Sequence, residues 1–314
     1  MQTTVLGRTG LTVTRAGLGS GGRSRLGLNK FGQDHAASIV RAAYDSGVTF
    51  FDTATVYGTE SAVGQGLAGI PRDRYVLSTK FPYKVDGGSI KSAQDLLATL
   101  EESLRALRVD CVDILHLHGV HPDDYVQARD ALVPAMIKAK EQGKIRFPGI
   151  TELFGSDTTH DMFKLALPDD FFDVVMIGYN LLNPSAVKAL LPQCMERGVG
   201  TLCMFAVRDS LSNPDNLRLD ISRMLESGQV DPSLVSADED LSFLKDPDVA
   251  GSIMEAAYRF CRHTQGIDVT LTGTGNADHL RDNLASIEKP RLPDATLAKL
   301  YAMFGNVDCV SGQG

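Results

Sequence analysis

Four side chains stand out for the chemistry they could do together: the Asp52 carboxylate, the Tyr57 phenol, the Lys80 ammonium and the His118 imidazole. A phenol, a carboxylate and an imidazole can each give or take a proton, and an ammonium shapes the field in which they do so. Each also has an ordinary reading. Asp52 can cap the next segment, Tyr57 can be a half-buried ring, Lys80 can be solvated and His118 can be a satisfied core histidine. Position sets them apart. Asp52, Lys80 and His118 close three successive apolar runs, and Tyr57 follows Asp52 by five residues. A rival reading takes His116, His118 and His121 as ligands of a metal-dependent barrel hydrolase, since alternate strand residues share a face. No later His and Asp set completes such a shell, so no metal is predicted.

These residues need a scaffold that gathers strand ends. Short apolar, β-branched runs alternate with segments of helical period along the chain. The strand candidates are Arg15–Ser20, Val48–Ala54, Tyr75–Lys80, Cys111–His118, Lys144–Thr151, Asp173–Tyr179, Gly200–Val207 and Asp268–Thr274. Ile90, Leu96, Leu97, Leu100, Leu104 and Leu107 mark one helix face. Gly47, Gly143, Gly198 and Gly266 fall where helices end and strands begin. Asn276 and Asp278 suit the start of the last barrel helix. Runs such as Val174-Val175-Met176-Ile177 are apolar throughout, as in a parallel sheet covered on both faces.

Eight strand–helix pairs predict an α/β fold, a (β/α)8 TIM barrel, over residues 1–314 as a single domain. In such a barrel the reactive residues collect at the C-terminal strand ends. Gly17-Leu18-Gly19-Ser20-Gly21-Gly22 matches a dinucleotide fingerprint in letters, but it runs into a polar loop rather than a helix. Two additions are expected. Thr3–Leu6 and Leu11–Thr14 form an N-terminal β-hairpin over the barrel floor. Arg208–Asp246 is a long loop after strand seven, expected on the catalytic face as a cover. Pro148 inside strand five predicts a local bulge.

The chain has 314 residues and a formal net charge of −8. That balance disfavours nucleic acid and anionic membranes, which attract clustered Lys and Arg. Five cysteines without a C-x-x-C pair predict buried thiols in a reducing cytoplasm. Neither a signal peptide nor a long apolar span is evident. The expected state is a monomer or small homo-oligomer.

At these residues the chain resembles the aldo-keto reductases. Gly47-Val48-Thr49-Phe50-Phe51-Asp52-Thr53-Ala54-Thr55-Val56-Tyr57-Gly58 is similar to their second-strand motif, and Ser78-Thr79-Lys80 to their third-strand end. Asp113-Ile114-Leu115-His116-Leu117-His118 resembles the fourth-strand motif, and Gly143-Lys144-Ile145-Arg146 the fifth. The resemblance covers nearly the whole chain. It implies hydride transfer between a nicotinamide cofactor and an aldehyde, ketone or sugar carbonyl. Tyr57 is then the general acid, Lys80 and Asp52 tune it, and His118 orients the carbonyl oxygen. The physics agrees: hydride reaching carbon leaves charge on oxygen, so a proton donor must stand beside that oxygen.

The resemblance also implies a cofactor site. Thr274, Gly275, Asn276, His279, Asp282 and Asn283 match the turn and helix that hold the adenosine end. Gly19, Ser20, Gly21, Asp52 and Arg208 belong to the same site, with Thr151, Glu152, Met176, Met204 and Phe205 about the nicotinamide. Glu152 replaces a usual amide, Met176 a usual Gln, and Met204 a usual stacking Tyr. Gly273 and His279 stand where many NADP-preferring relatives carry Lys and Arg, although Arg281 is near. NADP is expected, with NAD as the alternative. Phe51, Val56, Phe81 and Tyr83 are expected to line an apolar substrate mouth. Two further readings are the oxidative direction, as an aldose 1-dehydrogenase, and a non-enzymatic nicotinamide-binding regulatory subunit.

Overall fold

A computed structural model describes residues 1–85 and 88–313. β1 (Thr3–Val5) and β2 (Thr12–Thr14) pair antiparallel, with Thr3 opposite Thr14. The barrel comprises β3 (Ala16–Gly19), β4 (Phe50–Asp52), β5 (Val76–Pro82), β6 (Val112–Val120), β7 (Ile145–Glu152), β8 (Val174–Gly178), β9 (Gly200–Met204) and β10 (Val269–Thr272). These strands run parallel in chain order, and β10 pairs back to β3 to close the ring. Every predicted run therefore overlaps a barrel strand, with ends that differ by a few residues.

Alternation sorts the side chains into two layers. Phe50, Val76, Ile114, Val174, Met176, Leu202 and Val269 fill the barrel interior. Leu6, Leu11 and Val13 of the hairpin join that cluster, so the hairpin plugs the barrel floor as expected. Gly7 makes the plug possible: its φ is +44°, and a Cβ there would stand 2.2 Å from the Gly200 nitrogen. Arg8 then donates its backbone N–H to the Gly198 carbonyl at 2.5 Å.

The outer layer lies between strands and helices. Leu96, Leu100, Leu104 and Leu107 of the helix Ala93–Leu107 are buried there. Each contributes about 1.5–3 kcal/mol by leaving water. Ser92 starts that helix by accepting from Asp95 N–H, while the Asp95 carboxylate accepts from Ser92 N–H. The four predicted helix-ending glycines all have positive φ.

Pro148 does not cause a bulge. Its carbonyl accepts from Asp173 N–H at 2.9 Å, and the β7/β8 pairs begin one residue later, at Gly149 opposite Val174. In extended backbone the nitrogen and carbonyl of one residue face the same side, so the missing N–H falls ahead of the ladder. The register shift lies instead on β6, between Leu117 and Val120.

After β3 the chain makes a turn and reaches a 3-10 segment only at Arg25–Gly27, so the glycines do not open a nucleotide-binding helix. The predicted loop after β9 holds helices Asp209–Ser212 and Pro214–Glu226. It buries Leu217, Ile221 and Met224 beneath them. Among the described residues, no helix is long and apolar enough to cross a membrane.

Candidate active site

The inward-facing rows end in polar side chains at the C-terminal mouth. Phe50 leads to Asp52 on β4, Val76 to Ser78 and Lys80 on β5, and Ile114 to His116 and His118 on β6. Lys80 is 1% exposed, and its Nζ donates to Asp52 Oδ2 at 2.5 Å and to the Thr53 carbonyl at 2.8 Å. Ser78 Oγ donates to Asp52 Oδ1 at 2.9 Å. Lys80 Nζ stands 4.9 Å from the Tyr57 ring centroid, and the Arg25 guanidinium carbon stands 4.7 Å from it. The Tyr57 hydroxyl is 3.2 Å from His118 Nε2. The 3-10 turn Thr55–Tyr57 carries the phenol back over the barrel mouth, where it packs on Gly21.

Burial works against the Lys80 ammonium, but Asp52 and then Tyr57 hold its pKa above the ordinary value. Burial pushes the Asp52 carboxyl up, opposed by Lys80 and Ser78. Burial, with Lys80 and Arg25 adding to it, drives His118 down to about 3. His118 is therefore a neutral imidazole at physiological pH. His116 is driven well below its ordinary value by burial and then by Lys80 and His118. An oxygen atom beside the Tyr57 hydroxyl would find a phenol, a neutral imidazole and a nearby ammonium. That arrangement suits an oxygen that gains negative charge.

Two cavities meet here. A cavity of about 300 Å³ is lined by Gly19, Gly21, Asp52, Tyr57, His118, Thr151, Glu152, Met176, Met204, Phe205 and Arg208 among others. An open groove of about 650 Å³ is lined by Arg208, Thr274, His279, Asp282 and Asn283. Arg208 borders both. Its Nε is buried without a hydrogen-bond partner, and burial lowers its pKa. A guanidinium whose Nε lacks a partner among the described residues, at the joint between a groove and a pocket, could hold a dinucleotide's diphosphate. The helix Ala277–Glu288 starts beside the groove, with Asn276 Oδ1 capping Asp278 N–H and His279 N–H. Arg23 and Asp209 form an ion pair at 2.5 Å, and both line the groove.

Several expected residues lie elsewhere or turn their polar groups away from the cavities. Ser20 is buried and hydrogen-bonded to Thr59. Gly275 packs against the 25–27 turn and its carbonyl meets His35 Nε2 at 2.8 Å. Asn276 is spent as the helix cap. The Glu152 carboxylate turns to His160 and to Gly178 N–H, so it is not free for an amide ligand. Phe51 and Phe81 face outward into the helix layer. Tyr83 is buried and donates to Asp124 at 2.7 Å, and Val56 is exposed; none of Val56, Phe81 and Tyr83 lines either cavity. The three histidines of the metal reading also part company. His118 meets Tyr57, His121 Nδ1 accepts from Asp123 N–H, and His116 packs on Gly149.

Other lining residues carried no advance signal. Leu153 and Phe154 follow β7 into a loop, and Tyr258 comes from the helix Ile253–Arg262. Gln313 reaches the same cavity from the C-terminal tail. Asn180 and Asn183 hold that tail through the Ser311 and Val310 carbonyls. Arg25 lies against Tyr57 from the loop after β3.

A model of the aldo/keto reductase family matches residues 17–303. The chain is 35% identical over 208 residues to L-galactose dehydrogenase of Arabidopsis thaliana, covering 63% of this chain and 62% of that protein. It is 27% identical over 219 residues to D-threo-aldose 1-dehydrogenase of a Pseudomonas species, covering 61% and 65%. These matches thus span less than two thirds of the relatives' own length. The holo form of an aldo-keto reductase from Bacillus halodurans has the same fold, with a TM-score of 0.74 at 22% identity, covering 99% of this chain and 98% of that one.

Proposed function

The chain belongs to the aldo/keto reductase family, and we propose that it is an oxidoreductase that moves a hydride between NAD(H) or NADP(H) and a sugar or other small carbonyl, with Tyr57 as the proton donor and acceptor. The observation that carries this reading is the Tyr57 hydroxyl 3.2 Å from a neutral His118, with Lys80 beside the same ring. A bound nicotinamide supplies the hydride chemistry. Tyr57 gives the proton to the new alkoxide oxygen in reduction and takes it from the alcohol in oxidation. Lys80 stabilises the phenolate that this leaves, and Asp52 keeps Lys80 charged and in place. His118 donates a hydrogen bond to the same oxygen without competing for its proton.

The oxidative direction, removing a hydride from an aldose at its anomeric carbon, gains support from the two sugar dehydrogenases among the relatives. A regulatory subunit would have no use for the intact proton-transfer set. The resemblance favoured NADP, but the groove argues for NAD. Arg281 is paired with Asp278 at the surface and does not line the groove. Lys289 is paired with Glu255, and Glu255 and Asp282 both line it. A 2′-phosphate would therefore meet carboxylates with few free cations. We read residues 1–314 as one domain acting on a small molecule.

Fluorescence titration with NADH and NADPH, followed by turnover of an aldose and aldehyde panel with the tighter cofactor, tests this reading. Saturable NADH binding at least as tight as NADPH binding, with turnover of a sugar, is the expected result. Absence of binding to both would overturn it.

A further inference from the structure

In the wall of the catalytic cavity lies a buried pair that proton transfer at Tyr57 does not use. Glu152 ends β7 and is 2% exposed. Its Oε2 lies 2.9 Å from His160 Nδ1, and its Oε1 accepts from Gly178 N–H at 2.7 Å. His160 is equally buried, and its Nε2 lies 3.1 Å from Ser185 Oγ. A carboxylate, an imidazole and a hydroxyl in a row can activate a nucleophile. Here Ser185 donates its proton to Asn183 Oδ1 at 2.6 Å, so the hydroxyl accepts from the ring and no nucleophile is set up.

The ring does something else. His160 stacks on Phe154, with centroids 5.4 Å apart and planes 16° apart. Phe154 sits on Gly178, where a Cβ would stand 2.0 Å from its Cγ. The Phe154 and Phe205 rings meet edge to face with centroids 5.8 Å apart, and the Arg208 guanidinium lies 4.2 Å from the Phe205 ring centroid. Phe205 holds a φ of +69°, which a bulky side chain adopts only when its surroundings impose it. Phe154, Phe205 and Arg208 all line the catalytic cavity. A continuous set of contacts thus runs from the buried pair to the Arg208 guanidinium at the joint between the two cavities.

We infer that Glu152 and His160 are positioning residues that hold the Phe154–Phe205–Arg208 wall and thereby set the affinity for the dinucleotide. The inference rests on the dinucleotide-binding reading above. With both ring nitrogens donating, His160 is charged. Burial opposes that charge, while Glu152 and then Asp157 favour it against Lys164 of the next helix, and the balance lies above the ordinary imidazole value. Burial raises Glu152 as well, against the pull of His160. The wall is therefore held around neutral pH and loosens as pH rises through the raised His160 value.

NADH and NADPH fluorescence titrations on wild type, Glu152→Gln, His160→Gln and Phe154→Leu, at about pH 6.5 and about pH 9, read this directly. Wild type should bind several-fold more weakly at the higher pH. The two pair variants should bind about tenfold more weakly at the lower pH and lose the pH dependence, with KM raised and kcat within about threefold. Tyr57→Phe should keep both wild-type affinity and its pH dependence. Folded pair variants that bind like wild type at both pH values overturn the inference. Should neither pair variant fold by circular dichroism, Phe154→Leu decides: about tenfold weaker binding supports the wall, and unchanged binding overturns it. Wild type that binds neither dinucleotide refutes the parent reading; wild-type binding with unchanged variants refutes the inference alone.

Discussion

Lys80 Nζ and Asp52 Oδ2 stand 2.5 Å apart, with the lysine side chain wholly out of solvent and the aspartate 4% exposed. Both charges lie inside the barrel beneath the Tyr57 ring. An ion pair so placed contributes little net stability when intact, because desolvation offsets most of the attraction. Its purpose is to hold an ammonium beside a phenol.

Removing one partner leaves the other charge buried and alone. Lys80→Met should therefore lower unfolding free energy by about 3–5 kcal/mol in urea titrations. Turnover should fall with it. An unchanged urea midpoint would show that water reaches Asp52 in the folded protein.

Tyr57→Phe removes the proposed proton donor while keeping the ring on Gly21. kcat should drop by about 10²–10⁴-fold, the range for loss of a general acid. NADH affinity should stay within about twofold, since the hydroxyl is not part of the proposed diphosphate seat. Near-wild-type turnover would remove Tyr57 from the reaction.

Arg208→Gln takes away the guanidinium between the two cavities. Binding of NADH and NADPH should weaken together, by about tenfold or more, because the diphosphate is common to both. A change confined to NADPH would instead put Arg208 at the 2′-phosphate.

Acid should destabilise the fold through its inward-facing histidines. His118 titrates at about 3 in the folded protein, against an ordinary value of 6.5. The unfolded chain thus takes up this proton first, so stability falls as pH drops from about 6.5 toward 3 and is recovered as pH rises. His116, lowered well below its ordinary value, adds to the same slope. Urea midpoints from pH 7 to pH 4 should show a shallower decline for His118→Asn. An identical slope in that variant would mean that His118 stays solvated and titrates near its ordinary value.

Barrel class, strand order and the four candidate site residues are legible locally in this chain. Apolar runs such as Val174–Ile177 read as strands buried on both faces, and helix-ending glycines such as Gly143 and Gly198 punctuate them. Asp52, Lys80 and His118 terminate such runs, so closing the barrel brings them together without further information. What depended on the tertiary structure was where side chains beyond the strand ends turn. Glu152 occupies a nicotinamide-side position in sequence, yet its carboxylate faces backward because His160, eight residues on, and Gly178 N–H, across the ladder, give it partners out of water. Phe81 and Tyr83 continue the strand that carries Lys80, but the pleat and Asp124 take them away from the cavity. Gln313 enters from the far end of the chain, held by Asn180 and Asn183. Period and spacing record which face of its own element a residue occupies. They do not record which distant group will neutralise a buried charge or fill a gap, because that is settled only when all eight strands and their loops compete for the same interior space.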